Sequence, residues 1–193
     1  MYLILRRLFK IKEIKPQKTS LLYSSADKEN NKNKIYCDTF YLTIPTYDIP
    51  HYIKIDNVNT ITTYYAQAFF SSSIFKLEWF ILYYLFKNAS LRFNENNIKK
   101  NNFLPGDIIV PGVFKVKNRK SGEILNDWNL FNNKISGQNW LSVNIDSNEQ
   151  KVYFLLGSTI YGNNVSGIMT FFHKMYSRIL LNMAVNKLLK QKI

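Results

Sequence analysis

The spacing of apolar side chains changes several times along the chain, and each change predicts an element of secondary structure. Phe40, Leu42 and Ile44 alternate with Thr and Tyr neighbours, which is the period of two expected for a half-buried strand. Between residues 59 and 91 the spacing becomes three or four, which predicts helix. The serine run at 71–73 divides this stretch, because serine hydroxyls cap helix starts. We therefore expect one strand followed by two helices.

Strand patterns dominate the stretch from residue 107 to residue 161, with turn residues between them, and a polar loop at 94–102 precedes it. The predicted strands are Ile108–Val116, Glu123–Phe131, Trp140–Ile145 and Val152–Tyr161. Short successive strands joined by tight turns favour an antiparallel meander. Residues 152–156 are apolar at every position, which predicts a central strand covered on both faces.

The pattern is helical again from Asn164 to the C-terminus. One predicted face consists of apolar residues at helical spacing, namely Ile168, Phe172, Met175, Ile179 and Met183. The order of elements predicts an α+β fold of helix-grip type. In such a fold a curved antiparallel sheet wraps around a long C-terminal helix, here with two short helices after the first strand.

Two regions follow from this pattern: an N-terminal extension over residues 1–35 and a single helix-grip-like domain over 36–193. The extension contains a polar tract at 24–34, which predicts a loop because it has little to bury. The longest apolar run, Trp79–Phe86, is less than half the length that a membrane-spanning helix needs. With no secretory signal pattern at the N-terminus, we expect a soluble, cytoplasmic protein.

The chain has 26 Lys and Arg against 13 Asp and Glu, a formal net charge of +13. Such an excess suggests nucleic acid or an anionic membrane surface, but abundant Lys, Asn, Ile, Tyr and Phe also reflect an AT-rich coding sequence. We expect no specific nucleic-acid partner. The basic residues near the N-terminus stand beside leucines and are candidates for contact with an anionic membrane surface; they are Arg6, Arg7, Lys10 and Lys12.

The residues that carry chemistry are sparse. A single cysteine, Cys37, and two widely separated histidines predict neither a disulfide nor a metal site, and 7 glycines without a phosphate-binding pattern predict no nucleotide cofactor. Ser158 lacks the Gly-x-Ser-x-Gly context of a nucleophile elbow. His173 is either a boundary residue with a hydrogen bond or a catalytic base. Glu123 and Asp127 lie four apart on a strand and are either solvated or an acid pair.

Aromatic residues from the helices, the strands and the closing helix are numerous enough to fill the core or to leave a lined cavity. The candidate cavity residues are Trp79, Trp128, Trp140, Tyr153, Ser158 and Phe172. We expect a binding module for a small apolar ligand, without a cofactor and more plausibly not an enzyme. The alternatives are a membrane-surface or interaction protein that uses its basic N-terminus, and an enzyme of small-molecule metabolism.

Four stretches carry a family resemblance: Asp38-Thr39-Phe40, Ala68-Phe69-Phe70-Ser71 leading to Trp79, residues 137–143, and residues 158–167. Together they resemble the bacterial domain-of-unknown-function family 2867, over about residues 36 to 190. The closing helix of that family usually carries Pro-Phe-His-Arg/Lys, where this chain has Met175-Tyr176-Ser177-Arg178, or His173-Lys174 one turn earlier. The resemblance implies a helix-grip domain and no established activity.

Overall fold

The computed structural model describes residues 7–15, 17–29, 35–86, 94–130, 135–161 and 167–190. The elements in these ranges are, in chain order, β1 (Lys12–Glu13), α1 (Leu21–Glu29), β2 (Ile35–Pro45), a short 3₁₀ helix (Thr46–Asp48), α2 (Val58–Phe70), α3 (Ser73–Phe86), α4 (Glu95–Lys100), β3 (Ile108–Val110), β4 (Phe114–Lys120), β5 (Glu123–Leu130), β6 (Ile135–Asp146), β7 (Lys151–Tyr161) and α5 (Gly167–Lys190).

The strands form one antiparallel sheet in the order β1-β2-β7-β6-β5-β4-β3. The stretch from β3 to β7 is a meander, and β2 pairs with β7 along its length, from Ile35 opposite Tyr161 to Pro45 opposite Lys151. Strand β7 is therefore an interior strand, between β2 and β6, and is buried on both faces, as its apolar run predicts. The predicted α+β class, an antiparallel sheet packed against a long C-terminal helix, is confirmed.

Two helices follow β2, and the serine run separates them as predicted. Helix α2 begins after Asn57, whose side-chain oxygen accepts a hydrogen bond from the Thr60 N–H at 3.1 Å. It ends at Ser71, and Ser72 Oγ then accepts the Phe75 N–H at 3.3 Å in the first turn of α3. These side-chain acceptors satisfy backbone donors that have no partner at a helix start.

Helix α5 is the long closing helix, but the predicted buried face is wrong. Phe172 and Met175 are 58% and 46% exposed. The face that packs on the sheet and on α2 consists instead of Ser177, Leu180, Leu181, Ala184, Val185 and Leu188. The helix carries two apolar stripes on nearly opposite sides, so its periodicity indicates a helix without deciding which stripe faces the core.

The N-terminal segment belongs to the same sheet, since Lys12 of β1 pairs with Tyr41 of β2. The polar tract at 24–34 is not a loop where it is described, because residues 24–29 continue helix α1, and residues 30–34 lie outside the described part. Leu22 anchors this helix on the face of the sheet opposite α5. It lies so close to Gly157 that a Cβ there would be 2.5 Å from Leu22 Cδ2.

Two smaller predictions also need correction. The predicted strand Ile108–Val116 is two strands, because the chain turns at Gly112, which has a φ of 74°. The predicted loop at 94–102 contains the short helix α4, capped by Asn94. No helix in the described ranges has both the length and the apolar character that crossing a bilayer requires.

Candidate functional site

A cavity of about 140 Å³ lies between the sheet and the N-terminal half of α5. Helices α2 and α3 close it on the remaining side. Its polar wall is formed by Glu78, Asn139, Ser158, His173, Tyr176 and Ser177, and its aliphatic and phenylalanine wall by Phe69, Phe75, Phe114, Leu156, Ile160 and Leu180. A mostly apolar cavity with a few converging polar groups is the usual form of a small-molecule site.

Four polar side chains form a connected network at one end of this cavity. Asp38 of β2 and Ser158 of β7 are directly opposite each other across the strands, so both side chains project toward α5. Ser158 Oγ lies 2.7 Å from Asp38 Oδ1 and 2.6 Å from His173 Nε2. Tyr36 OH donates to Asp38 Oδ2 at 2.9 Å. The Asp38 side chain is only 1% exposed, so this network replaces its contact with water.

The network fixes where its protons lie. An ionised carboxylate only accepts hydrogen bonds, so the single Ser158 hydroxyl proton points to Asp38. His173 Nε2 must then carry a hydrogen and donate it to Ser158 Oγ. Burial lowers the pKa of His173, although the nearby Asp38 carboxylate opposes this shift. The imidazole is therefore neutral at physiological pH, with Nδ1 as an acceptor.

Serine, histidine and aspartate meet here without the geometry of a serine nucleophile. In a catalytic triad the histidine accepts the serine proton and the carboxylate bonds the far nitrogen of the imidazole. Here Asp38 bonds the serine itself, and His173 Nδ1 has no hydrogen-bond partner among the described residues. The arrangement is thus suited to accept a hydrogen bond or a proton from a bound group, rather than to activate Ser158.

A second polar pair, Glu78 of α3 and Tyr176 of α5, lines the same cavity. Tyr176 OH donates to Glu78 Oε2. Burial raises the pKa of Glu78, and the hydrogen bond from Tyr176 partly opposes that rise. Burial and the neighbouring carboxylate also raise the pKa of Tyr176, which stays a hydroxyl donor. The same two residues border an apolar groove on the outer surface with Ile74, Leu77 and Ile81, so the pair stands between the cavity and the surface.

Trp128 of β5 completes the aromatic wall, and its position depends on a glycine. It faces the α5 side of the sheet opposite Gly137 of β6. A Cβ at Gly137 would lie 2.4 Å from Trp128 Cζ2, closer than any real contact, so only glycine leaves room for the indole. Gly137 therefore provides the space that the Trp128 indole occupies beside the cavity, in addition to its place in strand β6.

The structure brings only two of the six candidate cavity residues together. Trp128 and Ser158 line the cavity, whereas Trp140 lies on the opposite face, where its Nε1 donates to Glu123 Oε2 at 2.7 Å. Tyr153 also lies on that face, in an open groove beside the β6–β7 hairpin. Alternation along the strands explains this separation, because residues of odd and even number on one strand project to opposite faces.

The two helical candidates are also outside the cavity. Trp79 is buried at 4% exposure in the core, but it is not among the lining residues. Phe172 is on the exposed stripe of α5. His173, one position further, faces the cavity because successive helical residues are about 100° apart.

Some of the N-terminal basic residues within the described ranges take part in the fold. Arg7 donates to Asn186 Oδ1 of α5 at 2.8 Å, and Lys12 is paired within the sheet. Arg6 lies outside the described residues, and Lys10 stands at the turn before β1. Ile11 is buried and Leu8 packs against the core, whereas the Phe9 side chain is 87% exposed, so contact with a membrane surface stays a prediction.

The other reactive groups have structural surroundings. Burial, with a smaller contribution from Asp38, raises the pKa of Cys37 to about 11, which makes a thiolate nucleophile unfavourable. Glu123 and Asp127 share the face opposite α5 but have separate partners, Lys120 and Lys117. Within the described ranges, no group of three or more His, Cys, Asp or Glu side chains converges as metal ligands do.

Sequence reasoning missed Tyr36, Asp38, Glu78 and Tyr176 as site residues. Asp38 could have been predicted from the strand pattern, because its even number places it on the same face of β2 as the predicted core residues Phe40 and Leu42. An acid on a core face needs partners, and this is a sequence signal of a site. Glu78 and Tyr176 required the crossing of α3 and α5, which local spacing does not determine.

Comparison with known proteins does not identify a family for this chain. No protein-family model matches the chain, and no curated protein matches it. The resemblance to domain-of-unknown-function family 2867 therefore stays a prediction, and function has to be argued from the site.

Proposed function

We propose that this protein is a binding module for a small molecule with an apolar body and one polar end. The observation that carries the proposal is the position of the Asp38–Ser158–His173 network on the wall of an otherwise largely apolar cavity. Buried polar groups normally satisfy one another within the fold. His173 lines the cavity, and its Nδ1 has no hydrogen-bond partner among the described residues, which supports a bound polar group as that partner.

The cavity is a better candidate for the ligand-binding site than the larger groove on the opposite face of the sheet. That groove, lined by Tyr41, Tyr153 and the β6–β7 hairpin, has a volume of about 700 Å³ and is open. Its most prominent carboxylate, Asp146, accepts hydrogen bonds from the Asn148 and Glu149 N–H groups, each at 3.0 Å, and so closes the hairpin turn. Asp146 therefore maintains a turn, whereas the polar groups of the cavity converge on a space that is less open than the groove.

Tryptophan side chains provide a test, because one of them lines the cavity and another lies on the opposite face. We expect titration with benzyl alcohol to shift the indole N–H resonance of Trp128 in a ¹⁵N-labelled sample and to leave that of Trp140 unchanged. Trp128→Phe and Trp140→Phe identify the two resonances.

A filled cavity should abolish this response. Ser177→Leu places a larger side chain on the cavity wall, while Ser24→Leu makes the same change at an exposed position of α1. We expect only Ser177→Leu to remove the Trp128 shift. If benzyl alcohol, benzylamine and benzoate all leave Trp128 unchanged in the natural protein, the cavity does not bind ligands and the proposal is wrong.

A further inference from the structure

The cavity has a charge opposite to that of the protein as a whole. Lys and Arg outnumber Asp and Glu by 26 to 13. Yet the cavity wall contains the carboxylate of Glu78, the Asp38 carboxylate lies one hydrogen bond behind Ser158, and no Lys or Arg is among the described residues that line it. An anionic ligand would meet acceptors and carboxylates there, with no cation to pair with it.

Glu78 differs from the other glutamates whose side chains are described. Glu13, Glu95, Glu123 and Glu149 each have a Lys within 4 Å, whereas no Lys, Arg or His in the described ranges forms an ion pair with Glu78. Its one hydrogen-bond donor there is Tyr176. A carboxylate offers about four acceptor positions, so Glu78 has capacity for further donors.

Aromatic rings line the same cavity as this carboxylate. Phe75 lies three residues before Glu78 on α3, and Tyr176, Phe114 and Trp128 line the same cavity. The faces of aromatic rings attract cations electrostatically, most strongly where water is excluded. An unpaired carboxylate among aromatic rings therefore has the chemistry that proteins use to hold an organic ammonium group.

Building on the proposed binding function, we propose that the ligand is a compact organic cation whose ammonium group pairs with Glu78. Its apolar body would occupy the phenylalanine wall. An additional hydrogen-bond donor on the ligand would meet His173 Nδ1. A neutral ligand would leave the Glu78 carboxylate without a cation, and a carboxylate ligand would be repelled by it.

Three probes with one aromatic skeleton separate these possibilities: benzylamine, benzyl alcohol and benzoate. Their affinities are measured from the Trp128 indole resonance at mildly alkaline pH, where benzylamine is still a cation. We expect benzylamine to bind at least about tenfold more tightly than benzyl alcohol, because a desolvated ion pair and cation–π contact add to the shared burial. Benzoate should bind most weakly.

Glu78→Gln keeps the shape and the acceptor for Tyr176 but removes the charge. We expect this variant to lose the preference for benzylamine over benzyl alcohol. Glu149→Gln, the same change on an exposed hairpin, should keep the preference. If benzyl alcohol binds as tightly as benzylamine, or Glu78→Gln keeps the preference, the cation proposal is wrong while the binding function stands. If none of the three probes shifts Trp128, both are wrong.

Discussion

The two faces of the sheet use polar residues in different ways. On the face opposite α5, Glu123 Oε2 accepts hydrogen bonds from Trp140 Nε1 at 2.7 Å and from the Leu21 N–H at 2.8 Å. This carboxylate joins α1 to the sheet. On the α5 face, Asp38, Ser158 and Glu78 are arranged around a cavity instead. Polar residues that connect elements indicate structure, whereas those that converge on enclosed space indicate a site.

The largest difference between the faces should be in stability. Phe154 is fully buried in the main core, while the next residue, Leu155, belongs to a small cluster under α1 with Leu22, Leu125 and Trp140. We expect Phe154→Ala to lower the free energy of unfolding by about 3–5 kcal/mol and Leu155→Ala by about 2–3 kcal/mol, because the smaller cluster relaxes more easily around a cavity.

Urea denaturation measures both values. Comparable slopes of the free energy against urea concentration would show that the two variants unfold as the natural protein does. If Leu155→Ala costs as much as Phe154→Ala, then the α1 side is an equal part of the core, and the contrast between the faces does not hold.

A smaller effect should separate two neighbouring residues of β7. Ser158 bonds Asp38 and His173, whereas the buried Thr159 Oγ1 on the opposite face has no hydrogen-bond partner among the described residues. Ser158→Ala removes a partner from a buried carboxylate and should cost about 1–3 kcal/mol, while Thr159→Val removes an unpaired hydroxyl and should be neutral or stabilising by up to about 1 kcal/mol.

Thermal unfolding at neutral pH gives the comparison directly. The midpoint should fall for Ser158→Ala and stay constant or rise for Thr159→Val. A loss of stability in Thr159→Val equal to that in Ser158→Ala would mean that the hydroxyl of Thr159 has a partner in solution, and that polar residues on the two faces are equivalent.

The same contrast explains how far the sequence predicts this protein. The alternation along β2 and the apolar run in β7 both depend on neighbouring residues, so the strands, the meander and the antiparallel class followed from them. The choice between two apolar stripes of α5 depends on how a helix lies on a sheet, and local periodicity does not contain that information. Trp140 was assigned to the wrong face for a related reason: aromatic residues were grouped by type instead of by their parity on the strand.

The candidate site shows the same division. Ser158 and Trp128 were two of the six predicted cavity residues, and both line the cavity in the structure. Glu78 and Tyr176 meet only through the packing of α3 on α5, two elements almost a hundred residues apart in the chain. Local spacing contains no information about such a contact. An acid in an otherwise apolar helix nevertheless indicates that a partner is needed.

The smallest expected effect is a pH dependence that distinguishes Glu78 from an exposed glutamate. Burial raises the pKa of Glu78 above its ordinary value of 4.5, so the folded state holds this proton more tightly than the unfolded state. Its contribution to stability is therefore complete below that ordinary value and declines as the pH rises toward the folded pKa. Hydrogen bonds from Lys151 and Tyr153 lower the pKa of Glu149, so its contribution to stability changes with pH in the opposite direction.

We therefore expect Glu78→Gln to gain stability relative to the natural protein as the pH rises from about 5 to about 8, since glutamine has no proton to lose. Glu149→Gln should show no such gain, because that side chain is exposed and its ion pair is screened. His173 and Tyr176 are the titratable groups that share the cavity with Glu78, so the series is repeated with His173→Gln, which removes the imidazole. Urea denaturation at each pH measures the difference. A constant difference across this range would show that Glu78 is as well solvated as the surface glutamates, and it would remove the distinction between the cavity and the rest of the charged surface.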